Sequence, residues 1–320
     1  MEFNRREKAL LERGYSPQEV ERLCSFTKEE LKLAVKIGFS RISKDTYPVD
    51  KPVAIFVGGQ PGSGKSSETK RVKDEIKNIV EVNIDMYRSY HPKYLEIEAA
   101  IKKHWYDEHG RLKREMTDED TPGNDIADFT HRFVSDISDA LIDMASMEQD
   151  GKYYNMVIEW GMNNPDTPLN TMKTLKDKGY TNMVRYVCVH KDISLEACSI
   201  RASAIDDENH IVRKPPKSFH QYYIDTLPEA ANKMYQKGIE HGILSDMKLV
   251  LRDGTVVWDS KRDHQILPGD IYREYLNNKN LTLGFANSKE MARINSLNEL
   301  SILKKQLSSL TFDETKGKTR

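Results

Sequence analysis

Six residues combine a reactive or phosphate-seeking side chain with a setting that could use it: Lys65, Ser66, Asp85, Glu159, Arg201 and Arg213. Lys65 and Ser66 close the run Gly59-Gln60-Pro61-Gly62-Ser63-Gly64-Lys65-Ser66, which fits G-x-x-x-x-G-K-[ST] and continues into Ser67. In that pattern the glycines let backbone N–H groups converge on phosphate oxygens, the lysine reaches the β- and γ-phosphates, and the hydroxyl holds Mg²⁺. A helix opening at Lys65 adds unpaired N–H groups and the positive end of its dipole. The run therefore predicts a nucleoside triphosphate site built from Gly59 to Ser67, with Ser66 on the metal.

Asp85 and Glu159 each follow an apolar run, Val80 to Ile84 and Tyr154 to Ile158. If those runs are neighbouring strands, both carboxylates face the γ-phosphate. One can take a proton from an attacking hydroxyl while the other positions substrate or metal. For Glu159, a ligand to a substrate hydroxyl and an acid on Mg²⁺-bound water both fit. Asp85 could also cap a helix over Met86-Tyr87-Arg88, a role compatible with catalysis. Arg201 and Arg213, twelve residues apart, could close planar guanidinium forks over the phosphates. His91-Pro92 reads as a local turn, and Tyr87, Tyr90 and Tyr94 read as packing.

These residues need a scaffold. Val53 to Val57 is a buried strand before the glycine loop, Lys65 to Lys77 a helix and Val80 to Ile84 a second strand, a βαβ unit that implies parallel pairing. Further strands are expected at Tyr154 to Ile158 and Met183 to Val189, with a helix near Leu169 to Lys178 stopped by Gly179. Helices are expected over 194–207 and 218–241, then a hairpin turning at Asp253-Gly254. Ser16 and Thr27 cap helices in the first forty residues. The predicted fold is α/β: a P-loop NTPase-like, mostly parallel sheet flanked by helices. The core spans 51–262, with a helical extension over 1–50 and another over 263–320, which carries a helix near 288–310 and a polar tail expected to be disordered. Ligands in such sheets sit outside the carboxyl ends of the strands.

The 49 basic and 50 acidic residues give a formal charge of −1, so no global field draws the chain to nucleic acid or an anionic membrane. Phosphate recognition must be local. Cys24, Cys188 and Cys198 have no C-x-x-C spacing, which suits a reducing compartment. With no apolar leader and no apolar run long enough to span a bilayer, the expected location is cytoplasmic.

The glycine loop, the stretch Asp85-Met86-Tyr87-Arg88 with His91-Pro92, and Val157-Ile158-Glu159 together resemble the zeta toxin family, over about Phe26 to Ser260. Lys178-Gly179-Tyr180 and Leu244-Ser245-Asp246 belong to the same likeness. The resemblance implies a P-loop kinase using ATP and Mg²⁺ to phosphorylate the 3′-hydroxyl of the amino sugar in UDP-N-acetylglucosamine or a related nucleotide sugar, and so to act as a toxin. It implies that Lys65 holds the phosphates, Ser66 the Mg²⁺, Asp85 is the base, Glu159 binds the sugar, and Arg201 and Arg213 contact phosphates. Gly161 and Asp136 would stand on the substrate side, Asp136 near the place of a family glutamate. A small helical antitoxin is the implied partner. Where the family has small residues, a threonine and an arginine after the glutamate, this chain has Trp160-Gly161-Met162-Asn163. Phosphorylation of another nucleotide such as NAD is the alternative activity, and a non-catalytic ATP-binding module the alternative class. The segment before Phe26 is expected to be an added packing layer, with autoinhibition as its alternative.

Overall fold

Six strands form one sheet in the computed structural model, which describes residues 2–117, 119–202, 215–278 and 281, with backbone alone for Arg201 and Ala202. In chain order the elements are α1 (Arg5–Glu12), α2 (Pro17–Cys24), α3 (Lys28–Ile42), β1 (Val53–Gly58), α4 (Lys65–Glu75), β2 (Val80–Asn83), α5 (Tyr94–Trp105), α6 (Pro122–Ala145) and β3 (Met156–Glu159). There follow α7 (Asp166–Asp177), β4 (Thr181–Val187), α8 (Lys191–Ala202), α9 (Lys217–Glu240), β5 (Asp246–Val250), β6 (Val256–Asp259) and α10 (Pro268–Asn277). A 3-10 helix, Ile84–Tyr90, follows β2 directly. The helix expected over 288–310 lies outside the described residues.

The strand order is β2-β3-β1-β4-β5-β6. All neighbours are parallel except β5 and β6, which form the expected antiparallel hairpin. Because alternate side chains point to opposite faces, Ala54 and Phe56 join Val80, Val82 and Ile158 in one core, while Ile55 and Val57 join Val72, Val157 and Val187 in another. Burial on both faces explains why β1 reads as an unbroken apolar run. β1 and β2 are parallel but do not pair with each other. β3 lies between them, with Glu159 in register with Val57 on one side and Asn83 on the other. That insertion makes the ends of β1, β3 and β2 adjacent.

β2 stops one residue earlier than its apolar pattern suggests. The Asn83 side chain accepts from the Asp85 N–H at 3.1 Å and caps the 3-10 helix. The cap is therefore Asn83, and the expected capping role of Asp85 is corrected.

Ser16 and Thr27 cap α2 and α3 as expected. Helices α1 and α2 pack on α5 and α6 through a second apolar core containing Leu10, Val20, Leu23, Ile97, Trp105 and Phe129. Beside it, fully buried Asp125 accepts from Tyr15 Oη and Trp105 Nε1, each at 2.6 Å, and pairs with Arg13 Nε at 2.7 Å. At the other end α10 lies along α9 and buries Tyr272, whose hydroxyl stands 2.8 Å from Gln60 Oε1. None of the described helices is long and apolar enough to cross a membrane.

Candidate active site

β1 leads straight into the glycine loop, and α4 begins at Lys65 with Gly64 before it. Gly59, Gly62 and Gly64 have φ of 146°, 77° and 101°, a region that side chains with a Cβ rarely enter. At Gly62 space is also decisive, since a Cβ would lie 2.0 Å from the Ser194 carbonyl oxygen. No side chain caps the first turn of α4, which suits a helix end that receives phosphate. The Lys65 ammonium lies 3.2 Å from Gly59 O and 3.3 Å from Gln60 O, folded against the loop it serves.

The loop is held from behind. The fully buried Gln60 side chain donates to Val189 O at 2.8 Å, so Gln60 serves as an anchor whose side chain turns away from the cavity. Ser194 Oγ lies 2.9 Å from His220 Nε2, and burial pushes the His220 imidazole down to about 4, which keeps it uncharged beside the loop. From β5's far end Arg252 donates through Nε to Ser63 O at 3.2 Å and through Nη2 to Gly62 O.

Glu159 ends β3 and is buried, accepting from Thr69 Oγ1 at 3.1 Å and Ser66 Oγ at 3.4 Å. Burial raises its carboxyl above the ordinary value, and nearby Lys65 and the Thr69 hydrogen bond oppose that rise. Asp85 has a very different setting, with its side chain 51% exposed. Arg88 grips its Oδ1 through Nη2 at 2.7 Å and Nε at 3.2 Å. The other arm of Arg88 reaches Thr130 Oγ1 at 2.8 Å on α6, so the Asp85 carboxylate is fixed to the body of the protein.

Lys65, Ser66, Asp85, Glu159 and Gly161 line a single cavity of about 700 Å³. The Gly161 carbonyl lies within 3.4 Å of the Gly59 N–H, which ties the segment after β3 to the phosphate loop. A Cβ at Gly161 would lie 2.1 Å from Tyr223 Oη of α9, so the absent side chain is what admits the tyrosine. Asp136 is not brought to this cavity. From α6, Ile126, Ala127 and His131 line it, and the five residues from His131 to Asp136 rotate a helical position by roughly 140°. Arg201 lies in α8 with its side chain outside the described residues, and Arg213 lies outside them altogether.

Four contributors escaped the sequence. Thr69 stands one helical turn beyond Lys65, and Arg88 three residues beyond Asp85, so spacing could have found both. Arg252 and Tyr223 carry no local signal, because their partners are remote in the chain.

A phosphate loop between the central strand of a parallel sheet and the following helix, flanked by acids at the next two strand ends, defines a P-loop α/β protein. The chain belongs to the Zeta toxin family, which matches residues 40–120 and 107–263. It is 26% identical over 253 residues to Toxin PezT of Streptococcus pneumoniae serotype 4, covering 78% of this chain and 88% of that one. It is 25% identical over 259 residues to Toxin zeta of Streptococcus agalactiae, covering 80% of each. A solved chain from the molecular and structural characterization of the PezAT chromosomal toxin-antitoxin system of Streptococcus pneumoniae shares the fold, with a TM-score of 0.65 and 22% identity over 84% of this chain and 98% of that one.

Proposed function

We propose that the protein is an ATP-dependent kinase that phosphorylates the 3′-hydroxyl of the amino sugar in UDP-N-acetylglucosamine or a related nucleotide sugar. The observation that carries this reading is the gathering of Lys65, Ser66, Asp85 and Glu159 around one cavity at adjacent strand ends. A plain nucleotide-binding module has no use for an exposed aspartate clamped by a partly buried arginine beside its phosphate loop.

ATP would lie with its phosphates on the N–H groups of Gly59 to Ser67 and on Lys65. The acceptor hydroxyl would stand at Asp85, which takes its proton as the hydroxyl oxygen forms a bond to the γ-phosphorus. The bond from that phosphorus to the bridging oxygen breaks, and ADP leaves with the electron pair. Ser66 and Glu159 fit Mg²⁺, the hydroxyl as a ligand and the acid through bound water; when bound, the ion supplies neutralisation of phosphate charge. This assigns Glu159 to the metal side, because its oxygens rest on α4 hydroxyls. Arg201 and Arg213 would close on the transferring phosphate.

The names of the relatives support action as a toxin, and the toxin-antitoxin system of the solved neighbour supports an antitoxin partner. We infer that this partner is small and helical and that the protein acts in the cytoplasm, where ATP and nucleotide sugars meet. Mass-spectrometric identification of the phosphorylated metabolite in cells expressing the protein tests the acceptor. Accumulation of a phosphorylated nucleotide sugar is expected; accumulation of phosphorylated NAD alone would reassign the acceptor.

A further inference from the structure

The cavity has one wall that the sheet does not supply. Arg6, on α1, lines it together with Phe219 and Tyr223 of α9, and among the described residues is the only one of the first fifty to do so. The Arg6 guanidinium carbon stands 5.2 Å from the centre of the Phe219 ring. The Phe219 and Tyr223 rings are 4.9 Å apart and tilted by 57°, and Tyr223 rests on Gly161. A cation and two aromatic faces thus line the cavity beside the segment after β3.

This placement is built into the fold. Arg6 donates through Nη1 to Asp128 Oδ1 at 2.8 Å, and Asp128 is held in turn by Arg13 Nη2 at 2.6 Å. A guanidinium has five N–H donors, and no other described residue accepts one from Arg6. Glu119, in the loop before α6, accepts from the Ser218 N–H at 2.8 Å and fixes the first turn of α9, which carries Phe219. Among the described residues, the other lysine and arginine lining the cavity are Lys65 in the phosphate loop and Arg88 on Asp85. A second phosphate group entering on the acceptor side, near two carboxylates, meets Arg6 as its cation. Arg6 also precedes the stretch matched to the family, which begins at residue 40.

We propose that residues 1–24 form part of the acceptor site. Arg6 binds a phosphate or diphosphate group of a nucleotide acceptor, and the flat base of that acceptor lies along Phe219 and Tyr223. The segment is then a specificity element for the acceptor, and neither a passive layer nor a plug over the phosphate loop. The inference rests on the kinase reading for the identity of its ligand.

Deleting residues 1–24 would uncover the core around Ile97 and Trp105, so point variants of the full chain make the test. Arg6→Gln and Arg6→Lys are compared with the parent for KM toward UDP-N-acetylglucosamine, NAD and ATP, and for Tm. Losing a charge-assisted contact raises the acceptor KM by about tenfold or more, with Arg6→Lys recovering part of it. The KM for ATP and the Tm stay near parental values, because Arg13 still holds Asp128. An unchanged acceptor KM in Arg6→Gln overturns the inference while the kinase reading stands. Equal rises in both KM values with a falling Tm also overturn it, in favour of a packing role. If the parent transfers phosphate to neither acceptor, the kinase reading falls, and equilibrium binding of UDP-N-acetylglucosamine and NAD decides separately. Weaker binding to Arg6→Gln upholds the Arg6 assignment, and equal or absent binding to parent and variant removes it.

Discussion

Arg88 and Asp85, three residues apart on the 3-10 helix after β2, are joined at 2.7 Å, and the partly buried arginine carries the aspartate's position back to Thr130 on α6. A lysine at 88 keeps the charge but loses the fork that binds both partners. Arg88→Lys is expected to lower kcat for transfer by about tenfold while leaving the KM for ATP near the parental value. A fall in ATP affinity with unchanged kcat would place Arg88 on the nucleotide instead.

Glu159 links catalysis to stability. Burial raises its carboxyl, so the folded protein takes up this proton more readily than the unfolded chain. Its stabilising effect is full below the ordinary glutamate value and is lost as pH rises through the raised one. Glu159→Gln should therefore raise Tm near neutral pH and leave it unchanged near pH 4 or below. The same variant should raise the Mg²⁺ concentration needed for half-maximal transfer more than the acceptor KM. The opposite split would return Glu159 to the sugar.

Arg252 holds two carbonyls of the phosphate loop, those of Gly62 and Ser63. Arg252→Met keeps most of the aliphatic stem and removes both bonds. The expected result is a rise of about tenfold or more in the dissociation constant for ATP, measured by calorimetry, the scale for losing hydrogen bonds to a charged group. Unaltered ATP binding would mean that the loop keeps its shape without the clamp.

Gly161 and Tyr223 form a pair that should couple. Gly161→Ala puts a Cβ 2.1 Å from Tyr223 Oη, within the tyrosine's own volume. The variant should lower kcat/KM for the acceptor, and adding Tyr223→Ala should restore part of the loss, with a coupling of about 0.5–3 kcal/mol in the double-mutant cycle. Strict additivity would show that the two do not meet in solution.

Much of this site could be read from the chain because its signals are local. The glycine loop lies between an unbroken apolar run and a helix start, and Asp85 and Glu159 each close an apolar run, so motif and strand end coincide. The order of strands was not legible, since nothing near Val80 or Met156 in sequence records that β3 inserts between β1 and β2. Asp136 and His131 differ by five residues of helix, and only packing against the sheet decides which one faces the cavity. Arg252 and Tyr272 reach the loop from about 190 and 210 residues downstream, a distance at which spacing carries no information. The first two helices were legible as helices through their caps. Arg6's place in the cavity depends on how α1 docks on α6.

The most direct measurement follows label from γ-phosphate-labelled ATP into UDP-N-acetylglucosamine, with NAD in parallel, for the parent and for Asp85→Asn. The account predicts label in the amino-sugar nucleotide with the parent, and a loss of about 10²-fold or more in Asp85→Asn with ATP binding retained, the scale for removing a general base. Equal transfer by both proteins, or no transfer to either acceptor by a parent that still binds ATP, would contradict it.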